Sequence, residues 1–133
     1  DSAQLEELRL LTSSEMDSAD QFALVLIGQP LLRARLRLGS FAALEQRLAL
    51  RYVVPPMSPE ETAGYVSHHA KLAGRTDTLF SDDAVARLHQ AARGLPRAVN
   101  NLARQALVAA YAAKAAIVDD KAARSAVAEM SAE

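Results

Sequence analysis

Val54-Pro55-Pro56-Met57-Ser58-Pro59-Glu60-Glu61 divides this chain into two parts of different character. Two consecutive prolines continue neither a helix nor a central strand, so the preceding element stops there. Ser58 then offers an N-cap oxygen, Pro59 suits the first helical position and Glu61 completes a capping box. A helix is expected to about Ala73, with Gly74 as its stop. Ser81-Asp82-Asp83 caps a second helix and puts acids at its positive end, and Gly94 ends it. Pro96 opens a third helix, long and Ala-rich, to about Ala116. Asp119-Asp120 caps a fourth, ending near Met130. Residues 57–133 therefore read as a four-helix unit.

Upstream the pattern changes. Phe22-Ala-Leu-Val-Leu-Ile27 is a continuous apolar run that ends at Gly28-Gln29-Pro30. A strand buried on both faces of a parallel sheet has this appearance. Leu31–Leu38 and Phe41–Leu48 read as helix, broken near Gly39-Ser40, and Leu50–Val54 as a second short strand. Strand, helical crossover and strand make a β-α-β unit. Asp1–Glu15 reads as a helix with Leu5, Leu8 and Leu11 on one face and an Asp1/Gln4 capping box, followed by a polar loop over Ser13–Gln21. The expected fold is mostly α: residues 1–56 form a partial α/β piece with about two parallel strands, and residues 57–133 the helical unit. Two strands alone cannot cover both faces and satisfy both edges.

Composition narrows the function. The chain has 133 residues, half of them apolar, 23% charged, with net charge −1. It is no polyelectrolyte tail. It has no cysteine, which excludes disulfides, thiol catalysis and thiolate metal sites. Phe22–Ile27 is too short to span a bilayer, and the first residues do not resemble a signal peptide. A soluble protein of a reducing compartment is expected. Its 28 alanines against 5 glycines favour helix.

No glycine is followed by Lys-Ser or Lys-Thr and no apolar run ends in Asp-Glu, so the parts that cradle a nucleotide and hold magnesium are missing. Gln29 stands where the first strand would leave its sheet, the place where open α/β sheets bind ligands, although Gly28-Gln29-Pro30 also reads as a plain turn. Arg33, Arg35, Arg37, Arg47 and Arg51 face a single acid, Glu45. Guanidinium groups suit phosphate, yet the first three also read as a solvated helix face. Arg97 lies in the first turn of its helix, where a cation is disfavoured, which suggests a task such as reaching an anion. His68 and His69 point about 100° apart on a helix and His89 stands alone, so no metal site is expected. The turn before Pro96 gives a weak helix-turn-helix echo, with Arg97, Asn100, Asn101 and Arg104 on the second helix, but its Ala/Leu content favours packing.

The order of these features resembles the C-terminal half of an AAA+ ATPase. Leu5-Glu-Glu-Leu-Arg-Leu-Leu11, Leu26-Ile-Gly-Gln-Pro30, Gln46-Arg-Leu-Ala-Leu-Arg-Tyr52 and Gly94-Leu-Pro-Arg-Ala-Val-Asn-Asn-Leu102 resemble the ExeA/TniB type, the general-secretion-pathway A proteins and transposon helper ATPases. The resemblance implies that Gln29 is sensor 1, where Asn or Thr is more usual. Arg47 would be the arginine finger acting in trans, with Arg51 a second candidate, and Arg97 would be sensor 2. Residues 1–56 would be the end of the α/β core and 57–133 the lid. Walker A and Walker B would precede Asp1, so ATP and Mg²⁺ belong to the parent protein and the 133 residues alone would be inactive. Without the strand that normally lies between them, the two strands here would collapse into a parallel pair or exchange between chains. Implied partners are further copies of the parent, with a transposase and DNA, or else secretion components, in the cytoplasm and without membrane contact from this segment. The leaning is towards transposition. The contrasting reading is a non-enzymatic helical adaptor for DNA or a partner protein.

Overall fold

Three of the helix starts read from the sequence, at Ser58, Ser81 and Asp119, carry side-chain caps in the computed structural model, which describes residues 2–11 and 23–131. In chain order the elements are α1 (Ser2–Leu11), α2 (Pro30–Leu36), a 3-10 turn (Gly39–Phe41), α3 (Ala42–Gln46), α4 (Pro59–Leu72), α5 (Asp82–Ala92), α6 (Pro96–Ala112) and α7 (Asp120–Met130). The chain divides into two compact units, Asp1–Val53 and Val54–Glu133.

In the second unit Ser58 closes a full capping box. Its Oγ accepts from Glu61 N–H at 3.1 Å, and its own N–H donates to Glu61 Oε2 at 2.8 Å. Ser81 and Asp119 cap α5 and α7 by accepting from Ala84 and Ala122 N–H at 3.2 and 2.9 Å. Each such cap is worth about 1 kcal/mol. α4 ends in a Schellman turn: Gly74, at φ +86°, donates to Lys71 C=O and Arg75 to Ala70 C=O. α6 ends by the same device at Lys114, φ +54°, with Ala115 N–H on Ala110 C=O. It therefore stops at Ala112, short of the expected Ala116. The turn returns the chain so that Val118, 1% exposed, enters the core. There Val118 N–H donates to Leu79 C=O and Ser81 N–H to Val118 C=O, a parallel bridge tying the α4–α5 connection to the α6–α7 connection.

The core of this unit is built from small residues. Ala84, Leu88, Val99, Ala106, Ala123 and Ala126 are fully buried, joined by Val66, Ala92, Leu102, Ala110, Val118 and Ala122. Alanines on facing helices allow close approach of the axes, and Leu88 alone supplies about 1.5–3 kcal/mol on burial. Arg87 of α5 pairs with Asp120 of α7, which Arg124 also binds at 2.9 Å. Both arginines hold the Asp120 carboxyl below its ordinary range, the Arg87 hydrogen bond most of all.

The first unit has a separate small core of Leu5, Leu36, Phe41 and Leu44, with Leu8, Leu26, Leu32 and Leu48 packed against it. Here one expectation is corrected: neither strand forms. Ala23–Ile27 has no regular secondary structure, with Leu24 and Leu26 half-buried and Val25 and Ile27 at 75% and 90% exposure. Leu50–Val54 is exposed throughout. Neither the expected parallel pair nor any other ladder exists among the described residues; the Phe80–Val118 bridge is their only β pairing. A strand is a property of a ladder, and these segments have no neighbour whose N–H and C=O groups face theirs. Asp1, the Ser13–Gln21 loop and Phe22 lie outside the described residues. The mostly-α expectation agrees with the seven α-helices observed there.

Gly94 joins the caps to the core. Its φ of +69° is left-handed, and a Cβ there would lie 2.2 Å from the Met57 carbonyl oxygen. Met57 N–H donates to Gly94 C=O at 2.9 Å, so the two backbones touch. Gly94→Ala should lower stability to urea by on the order of 2–3 kcal/mol, because it combines backbone strain with a collision that only main-chain movement relieves. Gly64→Ala, inside α4 where an added Cβ meets nothing within 4 Å, should instead gain about 0.5–1 kcal/mol. Helical circular dichroism through both urea transitions checks the contrast.

Candidate functional site

Backbone geometry places three of the four sequence-selected side chains at helix ends, and Arg51 beyond the end of α3. Gln29 is the N-cap of α2, extended at φ −68° and ψ 163°, and its side chain makes no cap hydrogen bond. Its carbonyl accepts from Leu32 N–H at 2.8 Å. Arg47 is the C-cap of α3 and is exposed. Arg51 folds back on α3, its guanidinium donating to the Glu45 carbonyl at 2.8 Å and lying 4.0 Å from the Glu45 carboxylate. These three belong to the first unit, while Arg97 belongs to the second. Arg33, Arg35 and Arg37 stand exposed on and just after α2.

Arg97 is the second residue of α6, directly after Pro96. The helix start beneath it differs from those of α4, α5 and α7. Its N-cap is Leu95, with no side-chain hydrogen bond and no acid in the first turn. Among the described residues Arg97 has no ion-pair partner. A positive helix end and an exposed guanidinium therefore coincide, an arrangement that favours a nearby anion.

The Met57–Gly94 contact brings the starts of α4 and α6 to one end of the bundle. Sequence reasoning missed what lies beside it. Thr62, the one buried polar side chain among the described residues, donates its hydroxyl to Ser58 C=O at 2.9 Å and lies 2.8 Å from His89 Nδ1. A hydroxyl has one proton, so both contacts are satisfied together only when His89 Nδ1–H donates to Thr62 Oγ1. His89, isolated in the sequence, is thus fixed in one orientation. The available signal was Thr62 four residues after the Ser58 cap, where a threonine hydroxyl reaches back along its helix. Glu60 is held below the usual carboxylate range, first by its own backbone N–H and then by the Ser58 hydroxyl.

A shallow groove of about 420 Å³ lies elsewhere, between the second half of α4 and residues 75–82, with Ser67, Lys71, Thr78 and Phe80 in its wall. None of the four candidates lines it. Arg75 and Asp77 form a two-pronged pair on its rim, both contacts 2.8 Å, which lowers the Asp77 carboxyl to about 2. Among the described residues no group of three or more His, Asp or Glu side chains converges as a metal site would require.

General secretion pathway protein A of Aeromonas hydrophila is 39% identical to this chain over 108 residues, which is 81% of the chain and 20% of that protein. The chain thus spans about a fifth of the length of this curated relative. No protein-family profile and no solved structure matches the chain. No helix among the described residues is long and apolar enough to cross a membrane.

Two spectroscopic outcomes follow from this geometry. Neutral His89 should carry its proton on Nδ1, and Thr62→Val should abolish that preference, as ¹⁵N shifts would report. The Asp77 carboxyl should titrate near 2, and Arg75→Ala should return it towards 3.8. Because the folded value is depressed, the stabilising contact is complete above the ordinary carboxyl range and is lost as pH falls through the folded value.

Proposed function

We propose that this chain is the C-terminal sensor-and-lid part of an AAA+ ATPase, with residues 1–56 ending the α/β core and 57–133 forming the lid. The observation that carries this reading is Arg97, an arginine without an ion pair among the described residues, in the uncapped first turn of α6, held on the Gly94 turn. It stands in a chain 39% identical over 108 residues to a secretion-pathway A protein. The two apolar segments support it too, since they have the composition of inner strands whose neighbours are elsewhere.

In this reading Arg97 is sensor 2 and contacts the γ-phosphate from the lid. Gln29, at the end of an apolar segment, is sensor 1, between phosphate and attacking water. Arg47, exposed at the end of α3, is the finger that reaches a neighbouring subunit's nucleotide. Arg51, whose guanidinium donates to the Glu45 carbonyl, is the second candidate for that role. ATP would supply the phosphoryl group when bound, and Mg²⁺ would offset its charge. The residues present fit contacts to phosphate oxygens, but no glycine-rich cradle or carboxylate pair accompanies them, so the chain by itself does not fit the nucleotide. Charge develops on those oxygens during transfer, and arginines arriving from two directions stabilise it.

The biological setting follows the relative. Its name places that protein in secretion, so secretion components acting with a cytoplasmic oligomer are the better-supported partners. Transposition, with a transposase and DNA, rests on sequence resemblance alone.

The test is ATP hydrolysis by the full reading frame from which these residues come. Arg47→Ala and Arg97→Ala should each lower turnover by about 100-fold or more, the scale of a lost transition-state arginine. Mixing Arg47→Ala with a subunit altered in its own Walker A should restore part of the activity. A parent that neither binds nor hydrolyses ATP would return the chain to the helical-adaptor reading.

A further inference from the structure

The β pairing of the second unit has an open edge. Phe80 faces Val118 through Val118 N–H on Leu79 C=O at 2.8 Å and Ser81 N–H on Val118 C=O at 2.9 Å. In a parallel bridge the residue between the two bonded peptide groups turns its own N–H and C=O the other way. Those of Phe80 therefore point away from Val118, and among the described residues nothing bonds them. The N–H and C=O of Thr78 have no partner there either. Thr78 and Phe80 both stand in the wall of the groove of about 420 Å³ beside α4, whereas Val118 does not. The open edge thus gives on to the groove.

The opposite wall is the α4 face from Ala63 to Lys71, about 12 Å of helix. That length matches about four residues of extended chain. Gly64 lies in this wall, and nothing beyond its own stretch of helix comes within 4 Å of the place its Cβ would take. Glycine disfavours a helix interior, and no contact within the described chain calls for it here. What it leaves is room for another backbone to come close. Four charged side chains stand around the groove. Arg75 and Asp77 pair with each other, while Lys71 and Asp82 have no ion-pair partner among the described residues.

We propose that this groove binds an extended segment of a partner polypeptide, which pairs its backbone with Phe80 and Thr78 and brings one acidic and one basic side chain to Lys71 and Asp82. The open edge selects the class of ligand, because only another main chain offers donors and acceptors in ladder order. The charges select within that class. One free cation beside one free anion disfavours a nucleic acid or an anionic membrane, each of which presents a single sign. The apolar segments of this chain do not supply the pair, since 23–27 carries no charge and 50–54 carries only Arg51. The occupant therefore comes from a different protein. A few ladder hydrogen bonds and two exposed ion pairs give a dissociation constant on the order of hundreds of micromolar. Neither Gln29, Arg47 nor Arg97 lines the groove, so this proposal and the ATPase reading fail separately.

The probes are two peptides, acetyl-Glu-Val-Thr-Val-Lys-amide and acetyl-Lys-Val-Thr-Val-Glu-amide, whose end charges share one face of a strand. Titrated into the ¹⁵N-labelled 133-residue chain, one of them should shift the Thr78 and Phe80 amide signals saturably. It should bind about threefold or more tighter than the other, because the ladder direction fixes which charge meets which. N-methylating its three central residues should weaken it about tenfold. Gly64→Leu, which fills the groove, should weaken it about tenfold or more while the urea midpoint holds or rises, so that lost binding is not lost folding. Lys71→Glu with Asp82→Lys in one chain should exchange the preference between the two peptides. No saturable shift at Thr78 and Phe80 up to several millimolar peptide overturns the proposal. So does binding that Gly64→Leu or N-methylation leaves intact, or a preference that the charge exchange does not move. A peptide copying residues 50–54 that binds as tightly as the better probe would give the groove to a second copy of this chain and overturn the assignment to a different protein.

Discussion

The second unit depends on a contact between two backbones. Gly94 adopts a left-handed conformation with its Cα against the Met57 carbonyl, and its own carbonyl accepts the Met57 N–H. A side chain at this point would occupy the space of the Met57 oxygen. Because the contact involves main chain on both sides, no rotamer change can relieve a substitution. It fixes where α4 begins relative to the turn between α5 and α6. The Ser58 capping box, the Thr62–His89 bond and the first turn of α6 with Arg97 all stand within a few residues of it.

The far end of the same bundle uses a different device. Val118 and Phe80 form a single parallel bridge, and Arg87, Asp120 and Arg124 link α5 to α7. Between these ends lies a core rich in alanine, where close helix approach takes the place of large side chains. Such a core contributes less per residue than one of leucine and phenylalanine. That makes the caps, bridges and glycine turn a larger share of what holds the unit together.

The first unit shows the opposite situation. Its helices find a core in Leu5, Leu36, Phe41 and Leu44, yet its two most β-prone segments do not pair. Leu24 and Leu26 are half-buried while Ala23, Val25 and Ile27 are exposed, the period of a strand, so side-chain patterning survives without the ladder. Leu50–Val54 is exposed, and among the described residues nothing pairs with it.

Local chemistry was legible wherever one or two residues decide a backbone conformation. Ser58, Ser81 and Asp119 with their following acids announced three helices, Pro59 and Pro96 announced first turns, and Gly74 and Gly94 announced stops. The misplaced charge of Arg97 was visible too, since it needs only a helix start and a sign. Outcomes set by residues distant in the chain were not legible. Ala115 and Ala116 favour helix, yet α6 stops at Ala112 because the left-handed Lys114 lets Val118 reach the core, a gain that outweighs propensity. The Thr62–His89 bond joins residues 27 apart, and the expected strands failed for want of a neighbour. The sequence by itself determined where helices begin and which faces are apolar, because those are matters of adjacent residues. Only the tertiary structure decided where α6 ends, what holds His89 and whether an apolar segment becomes a strand, because each depends on which distant backbone or side chain lies within reach.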